Sequence, residues 1–250
     1  MVAEIAVLVI AALLGGIIGW RLVPQEGALF KLSLVFSGAY LFSLTIIHLI
    51  PELFHAGADI ANVGLFILLG FFIQVAIEFF TQGVEHGHMH LHEHDHEHHR
   101  GPSALFLVIA LSLHALLDGT ILSQHAFQQA HVHQHGNVLL IGLVLHKVPA
   151  ALALITLLKA RHKSSVYLGV VLVVFALASP IGLLGSEWMA RNAVLSDENF
   201  VRLIALVAGS FLQISTTIFF ESSPGHRPQL GKFLVSLLGA ALAVVTEMFF

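Results

Sequence analysis

The chain has 250 residues, of which 57% are hydrophobic and 10% are charged, and its formal net charge is −4. Soluble globular domains carry about 25% charged residues, so this composition excludes an ordinary soluble domain. The small net charge and the lack of a basic stripe exclude nucleic acid as a partner. The chain contains no cysteine, so any metal site must be built from imidazole, carboxylate and amide groups.

Apolar stretches of about 20 residues, long enough for a helix to cross a bilayer, recur along the chain. We predict an all-α integral membrane protein with eight transmembrane helices, called spans 1 to 8. The spans cover Val2–Trp20, Leu32–Phe54, Asn62–Phe80, Ala104–Ser123, Val138–Leu158, Val166–Gly185, Val201–Phe220 and Lys232–Phe249. The connections are short apart from the loop at 81–103, so we expect a single transmembrane domain over residues 1–250.

The basic residues of the loops predict the orientation, because cytoplasmic loops are enriched in lysine and arginine. With the amino terminus outside, only Arg191 and Arg202 face outward. The basic residues that then face the cytoplasm are Arg21, Lys31, Arg100, Lys159, Arg161, Lys163, Arg227 and Lys232. Both termini are therefore predicted outside and the long loop inside, in the plasma membrane or the inner membrane of a bacterium. Glu4 stands where a secretory signal would be basic, so we expect span 1 to be retained.

Two short segments resemble one another. Gly38–Ile47 in span 2 is similar to Gly209–Ile218 in span 7, and these spans cross the membrane in opposite directions. The similarity favours inverted repeats, spans 1 to 3 and spans 6 to 8, around a central pair of spans 4 and 5. Such repeats are typical of transporters with a site near the midplane. A coincidental match of small and apolar residues is the alternative.

Span 4 carries two polar residues in its middle, His114 and Asp118. They are four residues apart, so on a helix both point to one face. An aspartate in hydrocarbon costs about 2.5–3.5 kcal/mol on insertion scales, and such a residue therefore indicates a functional site.

Span 5 carries His146 and Lys147, followed by Pro149, which frees a backbone carbonyl. We predict that His146 joins His114 and Asp118 as an incomplete set of metal ligands, which water or Ser112 would complete. An incomplete set suits a pathway, because a closed cage would hold the ion too tightly to release it. The alternative is a structural polar network in which Lys147 neutralises Asp118.

The loop between spans 3 and 4 alternates histidine with acidic residues. Its histidines are His86, His88, His90, His92, His94, His96, His98 and His99. Imidazole and carboxylate ligands suit zinc, nickel, cobalt or iron, and the alternation fixes no single geometry. We predict a cytoplasmic, multi-site metal buffer; a solvated polar linker is the alternative.

Three further polar residues lie near the ends of spans. His48 and Glu52, four residues apart near the outer end of span 2, are candidates for a gate or relay, or for anchors at the membrane interface. Glu221, near the inner end of span 7, is a candidate for metal release or a simple helix-end charge.

In their order along the chain, these residues resemble the ZIP (Zrt/Irt-like) family of metal transporters over nearly the whole sequence. The motifs that carry the resemblance are HLIPE at His48–Glu52, HALLDG at His114–Gly119, HKVPA at His146–Ala150, ASPIG at Ala178–Gly182 and AGSFL at Ala208–Leu212. The resemblance implies eight helices, outer termini and a histidine-rich cytoplasmic loop after the third helix.

The resemblance also implies which residues bind metal. Span 4 of that family usually reads His-Asn-x-Pro-Glu-Gly and span 5 reads His-(Asn/Glu/Asp)-x-Pro-(Glu/His), so His114, Asp118 and His146 stand where primary ligands stand. This chain departs from the family pattern at Ala115, Leu117, Asp118, Lys147, Ala150 and Ser179. These departures imply that a two-metal centre of the family's kind is lost, and one interpretation is that the Lys147 ammonium takes the place of the second cation.

The leading prediction is a non-enzymatic secondary carrier that moves a divalent cation, preferably zinc, into the cytoplasm. Zinc is its substrate and no prosthetic group is expected. The sequence contains neither a Gly-x4-Gly-Lys-(Ser/Thr) loop, which would indicate an ATPase, nor a His-Glu-x-x-His motif, which would indicate a metalloenzyme. The alternative is a non-transporting membrane sensor or buffer. The lipid bilayer is the expected partner, and small residues such as Gly15 leave a homodimer open.

Overall fold

The computed structural model describes residues 1–21, 28–55, 60–81, 104–129, 138–161, 163–221 and 230–249, and all regular structure within these ranges is helical. The α-helices are α1 Val2–Arg21, α2 Ala28–Leu44, α3 Ile50–His55, α4 Ile60–Thr81, α5 Ala104–Thr120, α6 Gln124–Gln129, α7 Val138–Ala160, α8 Ser165–Arg191, α9 Asp197–Glu221 and α10 Leu230–Phe249. A π-helical turn, Thr45–Leu49, joins α2 to α3. The prediction of an all-α membrane protein is confirmed.

Seven of the eight predicted spans are helices long and apolar enough to cross a membrane, with α2, the π-turn and α3 forming one span. The exception is α5, which has 17 residues and a length of about 26 Å. Predicted span 4 extends to Ser123, but the helix ends at Thr120. The chain there forms a turn in which Leu122 N–H donates to the Gly119 carbonyl.

Helix α8 continues six residues beyond the predicted end of span 6 at Gly185. The difference arises at Glu187, whose charge ends the apolar stretch of the sequence. In the structure this carboxylate accepts hydrogen bonds from Ser123 Oγ at 2.8 Å and Arg191 Nε at 3.0 Å. A carboxylate with such donors is tolerated in a buried position, so the helix continues past it.

The long helices form two bundles of four. In the first bundle, α1 packs against α7 and α8, and α5 packs against α8. In the second bundle, α2 packs against α9 and α10, and α4 packs against α9. The same pairs of packed helices result when span 1 is exchanged with span 6, span 2 with span 7, span 3 with span 8 and span 4 with span 5. The helix packing is thus the one that the inverted repeat predicts.

The bundles meet at α2 and α7. The largest apolar cluster includes Leu44 of α2, Leu143 of α7 and Phe211 of α9, all buried. Tyr40 of α2 also crosses between the bundles, because its hydroxyl donates to the Val138 carbonyl of α7 at 3.2 Å. The junction is therefore mainly apolar, with a hydrogen bond at the start of α7.

Glycines allow the paired helices to touch at their backbones. On α4 and α9, a Cβ at Gly70 would meet the Leu206 carbonyl and a Cβ at Gly209 would meet the Ile67 carbonyl. Small residues at helix contacts permit this close approach in membranes, where dispersion contacts replace the hydrophobic effect between helices.

The glycines of α1 serve the same purpose within one chain. A Cβ at Gly15 would meet the Val148 carbonyl of α7, and a Cβ at Gly16 would meet the Leu172 side chain of α8. These contacts account for the small residues of span 1 by packing inside the first bundle. A homodimer stays a prediction.

The π-turn is a local feature that the predicted continuous span 2 lacks. Ile50 N–H donates to the Thr45 carbonyl, five residues back. Pro51 follows, and a proline ring collides with the carbonyl four residues earlier in a regular α-helix. Widening the turn relieves this collision, and it places His48 in a buried position.

We expect Gly70→Ala to destabilise the protein by about 1–3 kcal/mol, because the new methyl group forces α4 and α9 apart. Gly64→Ala is the matched control, since Gly64 lies on the same helix and a methyl group added there would have nothing within 4 Å. The control should be neutral or slightly stabilising, as alanine favours helix by about 0.8–1.0 kcal/mol over glycine. Thermal unfolding in detergent measures both; equal melting temperatures would contradict the close α4–α9 contact.

Candidate metal centre

His114 and Asp118 lie one turn apart on the face of α5 that is turned into the protein. Both side chains are buried, with exposed fractions of 2% and 5%. His114 Nε2 and Asp118 Oδ2 are 3.2 Å apart. The predicted pair on one helix face is therefore found as expected.

His146 of α7 completes a group of three. Its Nε2 atom lies 3.5 Å from His114 Nε2, and the two rings are nearly perpendicular, at 83°. One ligand atom from each of His114, Asp118 and His146 lies within 4.8 Å of the others. Among the described residues this is the one group of three or more such side chains with that proximity. Two imidazole nitrogens and a carboxylate oxygen form a donor set suited to zinc and neighbouring divalent metals.

Lys147 shares the cavity with these three residues, but its hydrogen bond goes to α8. The ammonium Nζ donates to Ser179 Oγ at 2.6 Å, and Ser179 Oγ donates to the Ala115 carbonyl at 2.6 Å. The ring of Phe175 lies beneath the ammonium, with 4.6 Å between Nζ and the ring centroid. Asp118 lies within electrostatic range of the ammonium. The structure thus places Lys147 in a wider network than a simple ion pair with Asp118.

The cavity itself is small and has room for about one water molecule. Its lining combines the polar group with apolar walls: His114, Ala115, Asp118, Leu143, His146, Lys147, Ala150, Phe175 and Ser179. Ala150 contributes a methyl group to the cavity wall. The cavity therefore offers three ligand side chains and one fixed cation.

The other predicted accessory residues lie apart from this group. His48, in the π-turn, is buried, and its Nδ1 atom lies 3.1 Å from Glu247 Oε1 of α10. Glu52 lies in the first turn of α3 and is half-buried. Both belong to the second bundle, and the gate or relay role stays a prediction.

Two sets of predicted residues lie outside what the structure describes. The histidines of the 86–99 loop fall between α4 and α5 in undescribed residues. Glu221 ends α9, and its side chain is not among the described ones.

Gln74 and Glu78 share a face of span 3 in the sequence, but sequence reasoning missed the polar ladder that they form with α9. Ser210 Oγ donates to Gln74 Oε1 at 3.1 Å, and one turn further Glu78 accepts hydrogen bonds from Gln213 and Thr217. The signal was present in both helices, because these polar residues repeat at three- and four-residue spacing in apolar surroundings. The ladder joins helices within the second bundle.

Sequence reasoning also missed the carboxylates at the ends of two spans. Glu187 contacts Ser123, Arg191 and His125, with 2.5 Å between its Oε1 atom and His125 Nδ1. Glu247 contacts His48, as described above. The sequence signal for these contacts was an acidic residue near the end of an apolar helix, since such a residue needs a polar partner.

A family model described as ZIP Zinc transporter matches residues 81–247, which is more than half of the chain. Zinc transporter ZIP9 of Xenopus tropicalis is 27% identical over 180 residues, covering 68% of this chain and 57% of the relative. Zinc transporters ZIP9-A and ZIP9-B of Xenopus laevis match with the same identity and coverage. The chain thus spans less than two thirds of the length of these relatives. The matched region contains His114, Asp118, His146 and Lys147, and the chain belongs to the ZIP zinc transporter family.

Proposed function

We propose that this protein carries divalent metal cations, zinc foremost, across a membrane through a site formed by His114, Asp118 and His146. The single observation that supports the proposal is the proximity of three ligand atoms within 4.8 Å at buried positions. The membership of the ZIP zinc transporter family supports the substrate class.

The cost of burial supports a functional rather than a structural reason for these residues. An aspartate in the middle of an apolar helix costs about 2.5–3.5 kcal/mol on insertion scales. A cation crossing hydrocarbon must replace its hydration shell, and imidazole and carboxylate groups supply replacement ligands. Three ligands leave at least one tetrahedral position to water, so the ion can exchange instead of remaining bound.

Transport is directed into the cytoplasm, with both termini outside and the histidine-rich loop inside. The lysine and arginine distribution supports this orientation. In this arrangement the loop would bind ions as they leave the site. Zinc is substrate here, so the protein works as a carrier and not as an enzyme.

We expect His114→Ala and His146→Ala to abolish uptake of radioactive zinc by proteoliposomes, because each removes one of three ligands. His55→Ala is the matched control, since His55 is exposed at the end of α3 and lies outside the ligand group. The control should retain uptake near the wild-type rate. Uptake by either site variant at the control rate would refute the proposed site.

A second candidate function is a membrane metal sensor or buffer that does not transport. The observation that favours it is the Lys147 ammonium beside the ligand group, together with the methyl group of Ala150 in the cavity wall. A fixed cation, together with alanine instead of a carboxylate at position 150, suits a protein that binds metal mainly in its histidine-rich loop.

Deleting Glu85–Arg100 separates these functions. A carrier should keep most of its zinc uptake without the loop, because the ligand group lies on α5 and α7. A buffer should instead lose most of its bound zinc and show no uptake before or after the deletion. Uptake and bound zinc are measured on the same preparation, and an intact chain that binds zinc without any uptake would count against the carrier.

A further inference from the structure

The Lys147 ammonium is held at one place in the cavity. Ser179 and Phe175, four residues apart on α8, face it together: the hydroxyl accepts its hydrogen bond and the ring lies beneath it. Ser179 is itself oriented, because its hydroxyl donates to the Ala115 carbonyl. The side chain is 5% exposed, so water screens it little. A charge fixed in this way acts on whatever ion enters the cavity.

The charges around the cavity sum to zero when Lys147 is included. When both imidazoles are neutral, as metal binding requires, they and the aspartate carboxylate carry a net charge of −1, and the ammonium adds +1. A metal ion therefore gains attraction from Asp118 and repulsion from Lys147 in the same small space. Coulomb energy is proportional to the charge of the ion, so this repulsion is twice as large for a divalent as for a monovalent cation.

We propose that Lys147 is a built-in cation that weakens divalent binding at the His114–Asp118–His146 group, and that Ser179 is its positioning residue. The inference rests on the proposed function and names the residue that sets affinity at that site. Weak binding is useful to a carrier, because an ion must leave the site as readily as it enters. The buried surroundings strengthen the attraction of Asp118 for the ion, and the repulsion from Lys147 offsets part of that attraction.

The test measures equilibrium binding of zinc to the purified full-length chain. Because the histidine-rich loop also carries imidazoles, binding at the centre is taken as the difference between each protein and the same protein carrying His114→Ala. Lys147→Met removes the charge and keeps a long side chain, Lys147→Arg keeps the charge, and Ser179→Ala releases the ammonium. Lys159→Met is the matched control, since Lys159 is on the same helix, is exposed and donates to the Trp20 carbonyl.

We expect Lys147→Met to tighten zinc binding at the centre by about tenfold or more, as a neighbouring unit charge shifts ionic equilibria by that amount. Silver(I), a monovalent ion that imidazole also binds, should gain only about the square root of that factor in chloride-free buffer. Lys147→Arg and the control should bind as the wild type does, and Ser179→Ala should tighten zinc binding by a smaller factor.

Unchanged or weaker zinc binding by Lys147→Met overturns the inference, as does an equal gain for zinc and silver, which would indicate shape instead of charge. If the Lys147→Met variant has a lower melting temperature than the wild type, the measurement is repeated with Lys147→Gln. If the wild type binds zinc at the centre and the lysine variants do not differ from it, the inference fails and the proposed function stands. If neither the wild type nor Lys147→Met loses zinc on adding His114→Ala, both fail.

Discussion

Two consecutive hydrogen bonds, from an ammonium group to a hydroxyl and from that hydroxyl to a carbonyl, join the three helices around the centre. Lys147 extends from α7 to Ser179 of α8, and Ser179 in turn donates to the Ala115 carbonyl of α5. In surroundings without water, each of these polar groups is costly to leave without a hydrogen bond. The relative position of α5, α7 and α8 is therefore constrained by two short hydrogen bonds, and the position of the three ligand side chains follows from it.

The close contact of α5 with α8 brings the Ser179 hydroxyl within hydrogen-bond distance of the Ala115 carbonyl. A Cβ at Gly119 would meet the Ser179 carbonyl, and a Cβ at Gly182 would meet the Leu116 carbonyl, so larger residues would separate the helices. With the backbones in contact, the Ser179 hydroxyl reaches α5. All ligand side chains then come from the first bundle, and its mainly apolar junction with the second bundle passes beside the cavity at Leu143.

Local patterns account for what could be predicted. The spans follow from hydropathy, and the pairing of His114 with Asp118 follows from their four-residue spacing. The failures occurred where a distant partner changes the local outcome. Predicted span 6 ends at Gly185, yet Ser123 and Arg191 stabilise the charge of Glu187 and the helix continues to Arg191. The gate or relay role of His48 and Glu52 stays a prediction, and the structure adds that His48 Nδ1 lies 3.1 Å from Glu247 Oε1 of α10.

The sequence by itself determined that this is a helical membrane protein with candidate metal-binding side chains inside its spans, because hydropathy, helical periodicity and side-chain type are local properties. The sequence also predicted that His146 joins His114, but only the tertiary structure decided that their Nε2 atoms lie 3.5 Å apart and that Lys147 donates its hydrogen bond to Ser179. Those contacts depend on how closely the helices pack, which is set by glycines and carbonyl groups on different helices. No pattern within one span carries that information.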